Sequence, residues 1–149
     1  MTRWLKLLCL AVGAFLAWRV ADYAISDASA DAPVQSEAVV LSVVDGDTVN
    51  VRITIWLDQW IEAPMRVRGI DTPELHGKCK AEITAAIEAK KALAALANGR
   101  KVTIYNIDTD KFGRILARVV RDDGVDIGAK MIEAKLARPY NGEKRQGWC

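Results

Sequence analysis

A tight turn at residues 45–47 (Asp-Gly-Asp) separates two segments with different hydrophobic patterns. Residues 39–44 form a mostly β-branched run, whereas residues 48–55 alternate apolar with polar side chains. An Asp-Gly pair between two such segments is a strong signal for a β-hairpin. The sequence therefore predicts that two neighbouring strands of one sheet meet at this turn.

Three further strands and two helices follow the hairpin. Strand character is present at residues 65–70, 100–107 and 114–121. Residues 79–98 carry apolar side chains at helical spacing and precede Gly99, a common helix stop. Asp126 can cap a second helix that ends near residues 138–139. This order predicts a mainly β protein with two helices, a five-stranded Greek-key barrel of the OB type.

The connection at residues 56–64 is unusually apolar for a link between two strands. It contains Trp56, Trp60 and Ile61. Two interpretations are open: a hairpin tip packed on the barrel, or a surface patch that contacts a partner.

The N-terminus differs in composition from the rest of the chain. Arg3 and Lys6 precede an apolar run at residues 7–18, and small residues follow at 28–30. This order is typical of a cleaved secretory signal, and the run is shorter than the about 20 residues of a membrane span. If the basic side chains reach the lipid surface, residues 4–25 could instead remain as an anchor. A buried N-terminal helix of the domain is the third alternative.

These alternatives divide the chain into three parts. We expect residues 1–30 to be a signal peptide or membrane-anchor helix and residues 31–37, which are rich in Ala and polar residues, to be a linker. Residues 38–149 would form the domain. The domain would be exported to the periplasm or the cell exterior, or held at the membrane if the anchor is not cleaved.

Two cysteines would remain after removal of a signal peptide. Cys9 lies inside the apolar run, whereas Cys79 and Cys149 lie in the domain. An exported domain favours a disulfide between these two, which would close a loop of about 70 residues and stabilise the fold by about 4 kcal/mol. Two independent thiols are the alternative.

Net charge gives little indication of a partner. The chain carries +2 at pH 7, which is too mild to indicate nucleic-acid binding by itself. Any binding of a polyanion would therefore depend on the local field of a few side chains.

Three acidic residues are candidates for metal and acid–base chemistry. Asp47 and Asp71 lie at the ends of strand-like segments, and carboxylates with a backbone carbonyl suit Ca²⁺ or Mg²⁺. Glu74, three residues after Asp71, could orient or deprotonate a water molecule. The alternative roles are structural: Asx turns for the two aspartates, and a favourable helix N-terminal charge for the glutamate.

Two arginines complete a set suited to phosphodiester cleavage. Arg66 and Arg114 lie in or beside strand-like segments, and their planar guanidinium groups match phosphate oxygens in pairs. Such groups also stabilise the charge that accumulates in a pentacovalent transition state.

Three segments, residues 44–49, 66–74 and 110–114, resemble the motifs of the staphylococcal nuclease (thermonuclease) family. The resemblance covers roughly residues 39–140 and implies an OB-type barrel, Ca²⁺-dependent cleavage of DNA and RNA, and products with a 3′-phosphate. It implies that the calcium ligands are Asp47, Asp71 and the carbonyl of Thr72, and that the catalytic residues are Arg66, Glu74 and Arg114. Glu74 would be the base or the water-orienting group, and the arginines would bind phosphate.

The chain also departs from this family at the substrate contacts. Phe112 stands where the family has a tyrosine whose hydroxyl helps to hold a terminal phosphate. Tyr140 lies near a base-stacking position, and His76 is interpreted as a bystander in the loop. These differences affect substrate binding more than the chemical step.

We therefore expect a monomeric Ca²⁺-dependent nuclease that acts on single-stranded or frayed DNA and RNA, by endo- or exonucleolytic cleavage. The alternative is a non-catalytic OB-fold module at the cell envelope that binds nucleic acid or protein. A third hypothesis is a membrane-tethered scaffold that contacts a partner through Trp56 and Trp60.

Overall fold

The computed structural model describes residues 34–149. The predicted signal or anchor helix and residues 31–33 of the predicted linker lie outside the described residues. Among residues 34–149, no helix combines the length and apolar character that a membrane span requires.

The described chain forms seven strands and two helices. In chain order they are β1 (Gln35–Val43), β2 (Thr48–Trp56), β3 (Gln59–Val67), β4 (Ile70–Asp71), α1 (Lys80–Ala97), β5 (Lys101–Thr109), β6 (Ile115–Arg121), α2 (Ile127–Glu133) and β7 (Arg138–Pro139). Five strands close a barrel in the order β1-β2-β3-β6-β5, and β5 returns to pair with β1. The β3–β6 pair is parallel and the other barrel pairs are antiparallel. The predicted OB-type barrel with two helices is confirmed.

The core is formed by the inward side chains of the barrel and by one face of each helix, including Ile127 and Met131 of α2. On β2, Val49, Val51 and Ile53 are buried, as the alternation predicts. From α1, Leu93 and Ala97 pack into the same cluster. Of the apolar residues at helical spacing in α1, Ile83 and Ile87 are exposed, because the buried face of the helix consists of Glu82, Ala86, Ala89, Leu93 and Ala97.

β1 begins earlier than predicted, and strand structure extends into the predicted connection at 56–64. Residues 35–37, assigned to the linker, belong to β1 because they pair with residues 103–105 of β5, a long-range contact that local composition does not reveal. Between β2 and β3, the connection at 56–64 is mostly strand. Asp58 adopts a left-handed conformation in the short turn, with φ of 55°. Trp56 and Trp60 are 69% and 55% exposed, which favours a surface patch over a tip packed on the barrel.

The second helix is capped as predicted but ends earlier. The Asp126 carboxylate accepts a hydrogen bond from Ala129 N at 2.9 Å. Lys135 then adopts a left-handed conformation, with φ of 58°, and the helix stops at Glu133 instead of continuing to residues 138–139. Arg138 and Pro139 form β7, which pairs with β4, so the segment after it begins beside Asp71.

A disulfide joins Cys79 to Cys149 and confirms the favoured pairing. Their Cα atoms lie 6.1 Å apart, and the bridge spans 70 positions of sequence. Cys79 directly precedes α1. The C-terminal tail, residues 140–149, is therefore held by β7 at one end and by the disulfide at the other.

Candidate active site

The barrel side of the site consists of Asp47, Thr48, Arg66, Asp110 and Arg114. Pairing of β2 with β3 places Thr48 opposite Arg66, and Val67 N donates to the Asp47 carbonyl at 2.8 Å. The Arg66 guanidinium forms an ion pair with the Asp47 carboxylate and donates to the Ile70 carbonyl at 3.0 Å. Thr48 Oγ1 donates to Asp47 Oδ1 at 2.9 Å. Strand register alone thus fixes the first arginine against the first aspartate.

Arg114 reaches the same point from the turn between β5 and β6. Parallel pairing aligns Met65 with Ile115 and Arg66 with Leu116, so Arg114, the residue just before β6, lies near Arg66 at the same end of the two strands. Arg114 donates to Asp110 Oδ2 from Nε at 2.8 Å and from Nη2 at 2.7 Å, and to Thr48 Oγ1 at 3.2 Å. Asp110 Oδ1 also accepts from the backbone N of residues 112 and 114. The turn and its acid therefore hold Arg114 in place.

Burial shifts the proton affinity of Asp47. The residue is 3% exposed, and loss of solvation raises its pKa to about 6, against the opposing effect of the Arg66 charge. A buried carboxylate of this kind is stabilised when a cation reaches it.

The tail side of the site consists of Asp71, Thr72, Glu74, Arg145 and Trp148. Asp71 and Thr72 are 4% and 2% exposed, and the Glu74 side chain is half-exposed. Gly46 packs against Thr72 so closely that an added Cβ would lie 2.8 Å from Thr72 Oγ1. This close contact holds the turn that precedes Asp47 directly against the Asp71–Glu74 segment.

Arg145 is the main site residue that sequence reasoning missed. Its guanidinium forms ion pairs with Asp71 and Glu74, and its Nη2 donates to the Thr72 carbonyl at 3.3 Å. The residue thus contacts three predicted functional groups at once. The one signal in the sequence was the cysteine pair, since a bridge to Cys79 would bring the tail next to Glu74.

Trp148 fixes the tail in this position. Its indole N–H donates to Asp71 Oδ2 at 3.1 Å. The Arg138 guanidinium lies 3.6 Å from the centre of the Trp148 ring and also donates to the Gly147 carbonyl at 3.0 Å. The tail side is therefore a connected network from β7 to the disulfide.

The two sides meet at an open cleft of about 440 Å³. Its lining residues are Asp45, Asp47, Arg66, Glu74, Phe112, Arg114 and Arg145. Arg66, Phe112, Arg114, Tyr140 and Arg145 also line a second cavity of about 630 Å³. His76 is exposed and lines neither cavity. The structure thus brings Asp47, Arg66, Glu74 and Arg114 together around one cleft, with Asp71 and Thr72 in contact with Arg145.

The oxygen donors fit a hard divalent cation by their chemistry. Asp47, Asp71 and the Thr72 carbonyl are buried oxygen ligands of the type that Ca²⁺ takes. Guanidinium groups of Arg66 and Arg145 balance their charge in the structure. Within residues 34–149, the one group of three Cys, His or acidic ligand atoms within 4.8 Å of each other is Cys79, Glu82 and Cys149, two of which form the disulfide.

Comparison with known proteins identifies a family whose sequence model this chain matches. The model of a family described as "Staphylococcal nuclease homologue" matches residues 64–147. A curated Escherichia coli protein named "Uncharacterized endonuclease" is 29% identical over 104 residues, and its counterpart in Escherichia coli O157:H7 is 28% identical over 104. The alignments cover 68% of this chain and 59% of each relative. The family match includes Asp71, Glu74 and the three arginines of the cleft, Arg66, Arg114 and Arg145, while Asp47 precedes it.

Proposed function

This chain belongs to the staphylococcal nuclease family, and we propose that it is a Ca²⁺-dependent nuclease that hydrolyses phosphodiester bonds of DNA and RNA. The observation that carries the proposal is the convergence of Arg66, Arg114 and Glu74 on one open cleft beside buried Asp47. The chain spans about three fifths of the length of the curated relatives, so activity and substrate are inferred from this chain's own site.

The two arginines would bind the phosphate that is attacked. Arg66 is fixed by Asp47 and Arg114 by Asp110, so neither side chain has to be ordered when substrate arrives. Fixed guanidinium donors stabilise charge that grows on phosphate oxygens in the transition state, and removal of one such donor typically costs about a hundredfold or more in rate.

Glu74 would prepare the attacking water. Its carboxylate lines the cleft and remains half-exposed, so a water molecule can approach it. A carboxylate in this position can accept a hydrogen bond from that water and take its proton as the bond to phosphorus forms. Glu74 must first exchange its contact with Arg145 for the water.

The calcium ligands would be Asp47, Asp71 and the Thr72 carbonyl, all of which are buried oxygens. A bound divalent cation supplies Lewis-acid polarisation of a phosphoryl oxygen and further compensation of its charge. Ca²⁺ accepts flexible sets of six to eight oxygens, so three protein ligands leave room for water and substrate.

Substrate contacts would come from the residues around the two cavities. Phe112 is exposed beside Arg114 and offers an aromatic face without the hydroxyl of the family tyrosine. Tyr140 lines the larger cavity together with Phe112. Stacking on such rings is open to unpaired bases, so we propose single-stranded or frayed substrates and, by resemblance, 3′-phosphate products. We further propose a monomer that acts outside the cytoplasm or at the membrane.

One observation favours a second candidate function. The Asp71 carboxylate and the Thr72 carbonyl accept hydrogen bonds from the tail, and the Asp47 carboxylate accepts one from Thr48 and forms an ion pair with Arg66. A protein whose site stays in this state would be a non-catalytic module that binds nucleic acid or protein through its barrel.

A cleavage assay separates the two candidates. The full chain would be incubated with single-stranded DNA, duplex DNA and RNA in Ca²⁺, Mg²⁺ or chelator, and product ends identified. We expect Ca²⁺-dependent cleavage that Glu74→Gln abolishes and that Glu62→Gln, a matched change on the exposed face of β3, leaves intact. Cleavage that survives chelation or Glu74→Gln contradicts the mechanism, and substrate binding without cleavage supports the second candidate.

A further inference from the structure

The C-terminal tail places a positive charge on the oxygens that a cation would need. We propose that Arg145 is a built-in competitor for the cation site, and that the Cys79–Cys149 disulfide and Trp148 hold it there until a divalent cation displaces it. This inference rests on the cation site of the proposed function and concerns its regulation.

The first argument is that Arg145 and a cation share acceptor atoms. Arg145 contacts Asp71 Oδ1, the Thr72 carbonyl oxygen and Glu74 Oε1. Two of these oxygens belong to the proposed calcium ligands and the third to the proposed base. Two positive groups cannot bind the buried oxygens of Asp71 and Thr72 at once without strong repulsion, because solvent screens these two residues poorly. Occupancy by Arg145 and by Ca²⁺ must therefore oppose each other.

The second argument is that Arg145 is tethered at short range on both sides. Pairing of β7 with β4 fixes residue 138 opposite Asp71, and the disulfide fixes residue 149 to the start of α1. Between them, the Trp148 indole N–H takes the second oxygen of Asp71. A group confined in this way binds as if at high local concentration, so its competition is much stronger than that of a free guanidinium.

The third argument is that reduction of the Cys79–Cys149 disulfide would release the C-terminal end of the tail. Cys149 is exposed at the surface, so a reductant can reach the bridge. A small dithiol supplies two electrons and two protons, which convert the disulfide to two thiols while the dithiol becomes a disulfide. The tail then keeps only its non-covalent contacts, the local concentration of Arg145 at Asp71 falls, and cation affinity rises.

Calcium titration of the full chain by calorimetry tests the competition directly. Arg145→Gln removes the charge while keeping length and hydrogen-bonding capacity, and Lys144→Gln is the control for the same change in net charge one residue away. We expect the dissociation constant for Ca²⁺ to fall at least tenfold in Arg145→Gln and to change less than twofold in Lys144→Gln. Equal or weaker binding by Arg145→Gln would overturn the competition and show that Arg145 supports the site or binds substrate.

Reduction of the disulfide is the second test of this proposal. Dithiothreitol should raise Ca²⁺ affinity in the wild-type protein and leave Arg145→Gln unchanged, because the tether acts through that side chain. An equal response of both proteins overturns the role of the disulfide. Thermodynamic reciprocity also requires saturating Ca²⁺ to speed hydrogen exchange at residues 144–148, and unchanged exchange would contradict displacement.

The two proposals fail in different ways. Ca²⁺-dependent cleavage with equal Ca²⁺ affinities in wild type and Arg145→Gln leaves the nuclease intact and removes the competition. Absence of Ca²⁺ binding in both proteins removes the cation site, and with it both the calcium dependence and the competition.

Discussion

The barrel side and the tail side of the site are built by different means. On the barrel side, Asp47 and Arg66 meet because their strands pair, and Arg114 meets Asp110 within one turn. On the tail side, Arg145 and Trp148 contact groups between 71 and 77 positions away, and no barrel strand carries either residue. The barrel side is therefore a consequence of the fold, whereas the tail side depends on a covalent tie. Four experiments test this difference.

Loss of the disulfide should have the largest effect and should act on the tail side first. Cys149→Ser opens a loop of 70 positions, and the chain-entropy model predicts a loss of about 4 kcal/mol in free energy of unfolding. In denaturant unfolding, the variant and reduced wild type should share one midpoint, at a lower denaturant concentration than that of oxidised wild type. If all three midpoints were equal, the bridge would not form in the protein.

Loss of a barrel-side arginine should remove activity. Arg66→Ala and Arg114→Ala should each lower kcat at least a hundredfold, about 2.7 kcal/mol, because each removes a fixed phosphate donor. Arg52→Ala is the control, since that arginine pairs with Glu62 on the exposed face of the hairpin. If the Arg52 variant loses as much activity, the effect is not specific to the cleft.

When a chelator removes divalent cations, the free energy of unfolding should depend on pH through the protonation of Asp47. Its folded-state pKa of about 6 lies above the ordinary value of 3.8, so its contribution favours folding below pH 3.8 and is lost as pH rises through about 6. Relative to Asp47→Asn, the wild type should lose about 2 kcal/mol of unfolding free energy between pH 4 and pH 7. Parallel stability curves for the two proteins would show that burial does not raise this pKa.

Trp148→Phe should give the smallest effect. The change removes the hydrogen bond to Asp71 but keeps a ring beneath Arg138. A typical intramolecular hydrogen bond contributes about 1 kcal/mol net, so Ca²⁺ affinity should rise about fivefold, less than for Arg145→Gln. Titration calorimetry of both variants gives the comparison. An effect as large as that of Arg145→Gln would make the tryptophan, rather than the arginine, the main restraint.

The sequence predicts most of the barrel side and, on the tail side, Asp71, Thr72 and Glu74, but it predicts neither Arg145 nor Trp148. Hydrophobic alternation and turn signals place the starts of β2 and β6, beside Asp47 and Arg114, to within one residue, whereas β3, which carries Arg66, ends at Val67 and not at residue 70 as predicted. Arg145 lies in a segment without periodic pattern, and its position follows from a two-residue strand pair and a disulfide. Such contacts join residues distant in sequence, and local propensity carries no record of them.

The same limit explains the smaller errors. The early start of β1 depends on its partner β5, and the orientation of α1 depends on which of its apolar stripes faces the barrel. Because α1 is rich in alanine, its periodicity alone did not show that the face with Ile83 and Ile87 is exposed.

The parallel pairing of β3 with β6 has a consequence for folding kinetics. It joins residues 65–67 to residues 115–117, so the chain must close a long loop before Arg66 and Arg114 become neighbours. Contacts of this sequence separation form late and slowly compared with hairpins. A partly folded chain with only the β1–β2–β3 meander would have Asp47 and Arg66 but no second arginine. The rate at which phosphodiester cleavage recovers during refolding would therefore report the rate at which the barrel closes.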